Sequence, residues 1–344
     1  MGIVLLSTFL IGVVAIAIAG YLTLGENPRA VAILRWLYRW PLFIPFIVTG
    51  QVMRTFLAKN GMLNHVLIGS GLIEPLAAPA LAIVVVFFAG PLAMSAILAF
   101  RGRDGGFTTE HFEKAFELYS TDLLFSAAIV VLSTAAIAVV AIAIAGYLTL
   151  GEHPRTQAIL RWLYRWPLFI PFIVTGQVMR TFLAKNGMLN HVLIGAGLIE
   201  PLSAQSLLDW RGIVIAFVWK QAPFVTLLVA GAMASLDRQH VEAARNLGAP
   251  RWRVLWDIVL PQVRGTVLVG VVLSYVTMLS VLSIPLMINP NSPTMITVDV
   301  AYRINTHSDY AVANALCLMS LLVAAGGAWF YLRHAVRSAE RNAA

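Results

Sequence analysis

Long apolar runs, each close to the length of a bilayer-spanning helix, follow one another along this chain, and the arginines collect in the short segments between them. Runs of about 20 apolar residues cross the roughly 30 Å hydrocarbon layer as helices, because a helix satisfies its backbone polar groups within itself. Composition agrees. Hydrophobic residues make up 59% of the 344 and charged residues 12%, against roughly 25% charged in soluble domains. The fold class expected is therefore an all-α membrane protein. The formal net charge of +8 sits in loops between apolar runs, where the positive-inside rule accounts for it, and it does not point to nucleic acid. Cys317 stands alone in an apolar run, which excludes a disulfide framework or a cysteine metal site, and the histidines show no ligand spacing. The first 24 residues are apolar but lack a basic leading region and run too long for a signal peptide, so they read as uncleaved.

Residues 3–76 recur almost verbatim as 129–202, at a constant offset of 126, with Gly20 falling on Gly146 and Pro75 on Pro201. Near-identity implies a recent duplication, an assembly error or a generated sequence, since ancient structural repeats drift in sequence. The chain thus divides into 1–76, a near-identical duplicate of 127–202 that adds two apolar spans and is expected to carry no function of its own, and 77–344. The second part reads as six spans, about 80–100, 123–148, 166–184, 212–235, 264–288 and 311–332. Between the first two lies a polar, acid-rich stretch with Glu110, Glu113, Glu117 and Asp122, read as a loop. Placing residues 237–261 in the cytoplasm also places Arg155, Arg161, Arg165 and the C-terminal tail there, in keeping with positive-inside. The duplicate is then inverted: an odd number of span steps puts Arg29, Arg35 and Arg39 on the opposite side from their twins.

Residues 242–261 read EAARNLGAPRWRVLWDIVLP, a polar, arginine-studded stretch in a very apolar chain. Asp237 suits the N-cap of a short helix. Val241, Ala244 and Leu247 follow at helical spacing, and Gly248 can take the left-handed conformation that ends such a helix. Pro250 suits the first turn of a second helix. Trp252, Leu255, Trp256 and Val259 recur at i, i+3, i+4 and i+7 as its apolar face, and Pro261 is expected to stop it before the fifth span. Composition alone would make this a basic amphipathic loop on anionic lipid. The order Glu242-Ala243-Ala244, Gly248, Ile258-x-Leu260-Pro261 resembles the signature loop of ABC importer permeases, where the membrane subunit touches its ATPase.

From about residue 77 onward the chain resembles the inner-membrane permease of a type I ABC importer, and residues 167–202 and the wording Asn246-Leu247-Gly248-Ala249 resemble the polyamine, iron, thiamine, sulfate and phosphonate branch. The resemblance implies a six-helix permease core in a bacterial cytoplasmic (inner) membrane, with coupling loop and C-terminus in the cytoplasm. It implies as partners ABC ATPase subunits, a second permease of the same or a different chain, a periplasmic or extracellular solute-binding protein and membrane lipid. ATP and Mg would sit on the partner ATPase, with no cofactor bound by this chain. The ATPase-coupling residues implied are Glu242, Ala243, Ala244, Arg245, Gly248, Arg251, Arg253, Ile258, Leu260 and Pro261, with the arginines pairing partner carboxylates.

No GxxxxGK[ST] phosphate loop occurs, and no nucleophile elbow, zinc-ligand pair or carboxylate dyad, so the chain reads as a transport subunit and not an enzyme. Polar residues inside apolar spans are costly in lipid and usually face a protein interior. Lys220, Gln221, Gln177, Ser280 and Ser283 are therefore candidates to line a translocation path. Lys220 could instead snorkel or bond neighbouring carbonyls, and Arg180, near an interface, reads as a snorkelling residue. Met278 and Leu279 stand where several polyamine and sulfate relatives place an acidic residue, which weakens a polyamine assignment. The alternative reading is a secondary transporter with inverted repeats. Against it, the repeat covers two spans rather than half the protein, and such a carrier has no use for the 242–261 loop.

Overall fold

Proline placement and helix-capping chemistry decide where these apolar runs stay straight and where they break. The computed structural model describes residues 90–340, Arg103 excepted. The expected duplicate, 1–76, lies outside the described residues. The described residues fall into two compact units, 90–117 with Arg303–Leu321 and Leu118–Tyr302 with 322–340. Among the described residues the regular structure is helical, with one isolated antiparallel bridge between Arg101 and Phe107.

In chain order the helices are α1 (Gly90–Phe100), α2 (Glu110–Leu150), α3 (Pro154–Leu163), α4 (Trp166–Phe169), α5 (Phe172–Leu183), α6 (Met188–Gly195) and α7 (Trp210–Ala234). Then come α8 (Arg238–Asn246), α9 (Arg251–Arg253), a π-helical turn (Val254–Val259), α10 (Leu260–Met278), α11 (Ser283–Ile288), α12 (Ile296–His307) and α13 (Tyr310–Glu340). Among the described residues four helical stretches are long and apolar enough to cross a membrane: Glu110–Leu150, Trp210–Ala234, Arg251–Met278 and Tyr310–Trp329. A fifth is possible if Pro154–Phe169 and Phe172–Gly195, bent by 111°, count as one span.

The acid-rich stretch expected as a loop is instead the start of α2, whose 41 residues run about 60 Å, twice the hydrocarbon thickness. Capping explains it. The Glu110 amide donates to Thr108 Oγ1 at 3.2 Å, and Thr109 Oγ1 donates to the Glu113 carboxylate at 3.1 Å. Glu110 and Glu113 lie in the first turn, where negative charge meets unpaired amides. In the first unit, Phe100 stacks on Phe107 and Phe112, Ser95 Oγ donates to Asn314 Oδ1 at 2.7 Å in the interior, and Asp309 pairs with Lys114 and Arg303.

Two further spans differ from expectation. The run 166–184 is broken between α4 and α5, where Ile170 and Pro171 are extended. Pro171 can neither donate to the helical ladder nor leave the residue before it helical. The run 264–288 is likewise interrupted between α10 and α11. Pro261 does not stop the preceding helix: it sits in the first turn of α10, and helix continues from Arg251 to Met278. A π-helical turn just before it, with the Gln262 side chain donating to the Ile258 carbonyl at 2.9 Å, absorbs the missing donor.

The core of the second unit centres on α7 and α10, with Ile213, Phe217, Val225, Val272, Val276 and Met278 all nearly fully buried. α12, absent from the six expected spans, is held by two α2 side chains. Buried Asp122, expected in the loop, accepts from the Thr294 amide at 2.6 Å and the Ser292 hydroxyl at 3.1 Å. Ser126 Oγ accepts from the Ile296 amide at 2.8 Å while donating to the Asp122 carbonyl at 2.7 Å. Together they terminate the free amides leading into α12. Asp122→Ala strands the Thr294 amide in the interior and should cost about 1–3 kcal/mol. A lowered unfolding midpoint of the detergent-solubilised protein, with Asp122→Asn intermediate, is the expected result.

Candidate functional site

Two places in the second unit concentrate polar chemistry: the segment from Asp237 to α10, and the break between α4 and α5.

At the first, α8 opens as its sequence dictates, with Asp237 Oδ1 accepting from the Gln239 amide at 2.9 Å. It closes on Gly248, whose φ of +79° is the left-handed region that glycine alone enters freely. The Gly248 amide donates to the Arg245 carbonyl at 2.9 Å and the Ala249 amide to the Ala244 carbonyl at 3.1 Å, the paired bonds of a Schellman end. Pro250 sits one position earlier than expected. It is the N-cap of the next helix, and its carbonyl accepts from the Arg253 and Val254 amides.

The π turn alters which side chains point inward. Val254 and Val259, five apart, are buried, whereas Trp252 and Trp256, expected on the inner face, are 62% and 56% exposed. Leu247, expected in the α8 stripe, is 89% exposed at the elbow. Glu242, Ala243, Gly248, Arg251, Arg253 and Pro261 are exposed, and Ala244, Ile258 and Leu260 half-buried. The Arg253 guanidinium lies over the Trp252 ring at 5.5 Å.

Arg245 and Arg251 converge on one acceptor that sequence reasoning missed. Glu152, in the short link after α2, accepts from Arg245 at 2.8 Å and also pairs with Arg251. The link is fixed by Gln157, whose Nε2 donates to the Gly151 carbonyl at 2.8 Å. The hydrogen bond and charge of Arg251, joined by the charges of Arg245 and His153, hold the Glu152 carboxyl below the usual carboxylate range. A lowered carboxyl value makes the attachment complete above the ordinary glutamate pKa of about 4.3, and it is lost only as pH falls through the lower, paired value. Behind α8 lies a polar cavity of about 660 Å³ whose lining includes Gln157, Arg161, Arg165, Asp237, Glu242 and Arg245. No signal in the sequence tied residue 152 to residues 245 and 251, because the contact spans about a hundred positions.

At the second place, Lys220 on α7 is 7% exposed and donates to the carbonyls of Pro167 at 2.6 Å, Leu168 at 3.4 Å and Ile170 at 2.5 Å. Its ammonium also lies 5.1 Å from the centre of the Phe172 ring. The adjoining Gln221 is 6% exposed, and its Nε2 has no hydrogen-bond partner among the described residues. Ser280 is buried and donates to the Val276 carbonyl at 2.8 Å, Ser283 is half-buried at the start of α11, and Gln177 on α5 is exposed. The helices carrying Gln177, Lys220, Gln221 and Ser283 pack against one another, as α5, α7 and α11. Arg180 is exposed in the last turn of α5. Among the described residues no group of histidine, cysteine, aspartate or glutamate is placed to hold a metal.

A family profile described as binding-protein-dependent transport system inner membrane component matches residues 138–337. The chain belongs to that family. The matched region takes in the α4–α5 break, Lys220 and the whole 237–261 segment. The molybdenum transport system permease protein ModB of Escherichia coli (strain K12) is 28% identical over 171 residues, 49% of this chain and 72% of that one. The sulfate transport system permease protein CysT of the same strain is 28% identical over 119 residues, 35% of this chain and 41% of that one. In fold, the chain is similar to a crystal structure of a bacterial alginate ABC transporter in complex with a periplasmic protein bound to an alginate pentasaccharide. The TM-score is 0.62 at 20% identity, over 74% of this chain and 90% of that one. These relatives are ABC-transporter permeases, and the all-helical membrane fold read from the sequence is the fold found.

Lys220→Met removes the donor from three carbonyls and should cost about 1–3 kcal/mol or more, whereas Gln221→Leu removes a group with no partner and should be near neutral. Unfolding midpoints of the two variants in the same detergent test this: equal losses would contradict it.

Proposed function

We propose that this chain is the membrane-spanning permease subunit of an ATP-driven, binding-protein-dependent importer, coupled to a separate ATPase through residues 242–261. The observation that carries the reading is the form of that segment. A capped helix, a left-handed glycine elbow and a second helix continuous with a long apolar helix make a lever with one exposed end. Leu247, Trp252 and Trp256 are exposed on it next to arginines, and aromatic residues and arginine are what protein interfaces concentrate. Family membership supplies the context, since the family's name describes the membrane component of a system that also has a binding protein.

The partners proposed are ABC ATPase subunits that hold ATP and Mg, a second permease of the same or a different chain, and a periplasmic or extracellular solute-binding protein. The location proposed is a bacterial inner membrane, with residues 237–261 and the C-terminus on the cytoplasmic side. Gln221, Gln177, Ser280 and Ser283 are proposed to line the path. Lys220 borders it, its ammonium engaged by the carbonyls of α4 and Ile170. The relatives named above are molybdenum and sulfate transport system permease proteins and an alginate transporter, a range too wide to choose this chain's solute. Stimulation of ATP hydrolysis by loaded binding protein across a solute panel would choose it.

Gly248→Asp puts a carboxylate and a Cβ on a left-handed elbow. It should leave the chain in the membrane but remove the ATPase that co-purifies with it. Retention of both the ATPase and its stimulated hydrolysis would overturn the coupling role. For the duplicated region, a chain beginning at Leu76 should bind the ATPase and support hydrolysis as well as the full chain. Loss of hydrolysis at normal membrane levels would show that residues 1–75 are needed.

A further inference from the structure

The coupling segment is fastened to one helix at two points, and neither has a role in the proposed contact with the ATPase. The first point is Gly146, buried on α2. A Cβ there would stand 2.7 Å from Leu255 Cδ2, 3.0 Å from Cδ1 and 3.5 Å from Cγ. Leu255, on the π turn, therefore occupies the space that a side chain on α2 would take. A larger residue at 146 would push the leucine tip aside and loosen this packing, and the π turn brings Leu255 to it. The second point is Glu152, just past the end of α2, which gathers both Arg245 from α8 and Arg251 from α9. The two α8–α9 arginines lie on either side of the elbow, so one carboxylate bridges it.

Residues 146 and 152 are six apart, less than two helical turns. A buried packing contact and an exposed charge clamp so close together join the coupling segment to the end of α2. A lone exposed ion pair would hold it weakly, but here one carboxylate takes two arginines beside the packing of Leu255 on buried Gly146. We infer that the end of α2 and residues 237–261 move as a single body, with Gly146 and Glu152 as positioning residues that pass motion of the coupling segment to α2. The inference rests on the coupling reading above. On that reading α2 receives the partner's movement together with α10, with which the segment is continuous.

The test uses the full chain purified with its co-purifying ATPase and reconstituted in lipid. Gly146→Cys with Leu255→Cys puts two thiols at facing positions, since a Cβ at 146 lies 3.5 Å from Leu255 Cγ, while the native Cys317 is buried. The oxidised double variant should hydrolyse ATP at the same rate as after reduction, because the bonded groups never need to part. Hydrolysis that stops on oxidation and returns on reduction would overturn the single-body inference, as would a disulfide that fails to form. In a separate arm, Glu152→Arg should lower stimulated hydrolysis roughly tenfold or more through misplacement of the segment. Glu152→Asp, which keeps the carboxylate, should stay near the wild-type rate, and an equal loss in both variants would overturn the clamp's role. Absence of any ATPase from the wild-type preparation would instead sink the coupling reading, and this inference with it.

Discussion

In a hydrocarbon layer a helix can break only where other groups take up the backbone carbonyls that the break frees, and at the junction of α4 and α5 that group is Lys220. Pro171 imposes the break; the ammonium on α7 makes it sustainable by donating to Pro167, Leu168 and Ile170. The same bonds let a buried cation exist in an apolar helix, since the carbonyls replace the water it lost. Two costly features, an intramembrane charge and an interrupted span, thus relieve each other. They also fix α7 against the hinge of a segment bent by 111°, which places Gln221, one residue along, beside the place where the backbone is irregular.

A second pair of compromises shapes the coupling segment. Pro261 lacks the amide that would continue the ladder, and the π turn before it redistributes the bonds so that the helix runs on into α10. That extra residue per turn brings Val254 and Val259 to the inside and leaves Trp252 and Trp256 outside. Counted at 3.6 residues per turn, the apolar face would have carried the two tryptophans instead. The irregular turn therefore builds the exposed aromatic end and, through Leu255 on Gly146, its attachment to α2. Functional sites commonly exploit π turns in this way.

Local chemistry was legible in the sequence and distant pairing was not. Asp237 as a cap and Gly248 as a left-handed end depend on residues within a few positions, and both are found as read. The spacing of residues 242–261 was enough to indicate the family. Periodicity failed where a proline changed the helix type, because the inward face of 252–259 was counted at 3.6 residues per turn. Composition failed at 110–122, where acidic residues that look like loop are the capped first turns of α2. Asp122 with Thr294, Glu152 with Arg245 and Lys220 with Pro167 join residues 53 to 172 positions apart, and no pattern in one sequence reports such pairs. Lys220 is the instructive case: its bonding to neighbouring carbonyls was one of the open readings, but which carbonyls became evident only once the 166–184 run was seen to break.

The attachment at α2 also bears on the duplication. Residues 3–76 repeat 129–202, so Gly20 stands for Gly146 and Glu26 for Glu152. The partners of those residues are not repeated: Leu255, Arg245 and Arg251 lie beyond 202 and occur once. One coupling segment has one seat, and in this structure Gly146 and Glu152 occupy it. The mismatches between the copies also fall close to the clamp. Gln157, which fixes the Gly151 link, has Val31 as its twin, and His153, beside Glu152, has Asn27. A valine cannot donate to a carbonyl, so the first copy carries the glutamate without the side chain that orients its link. The residues that Gly146 and Glu152 engage occur once in the chain, so the attachment described belongs to residues 146–152.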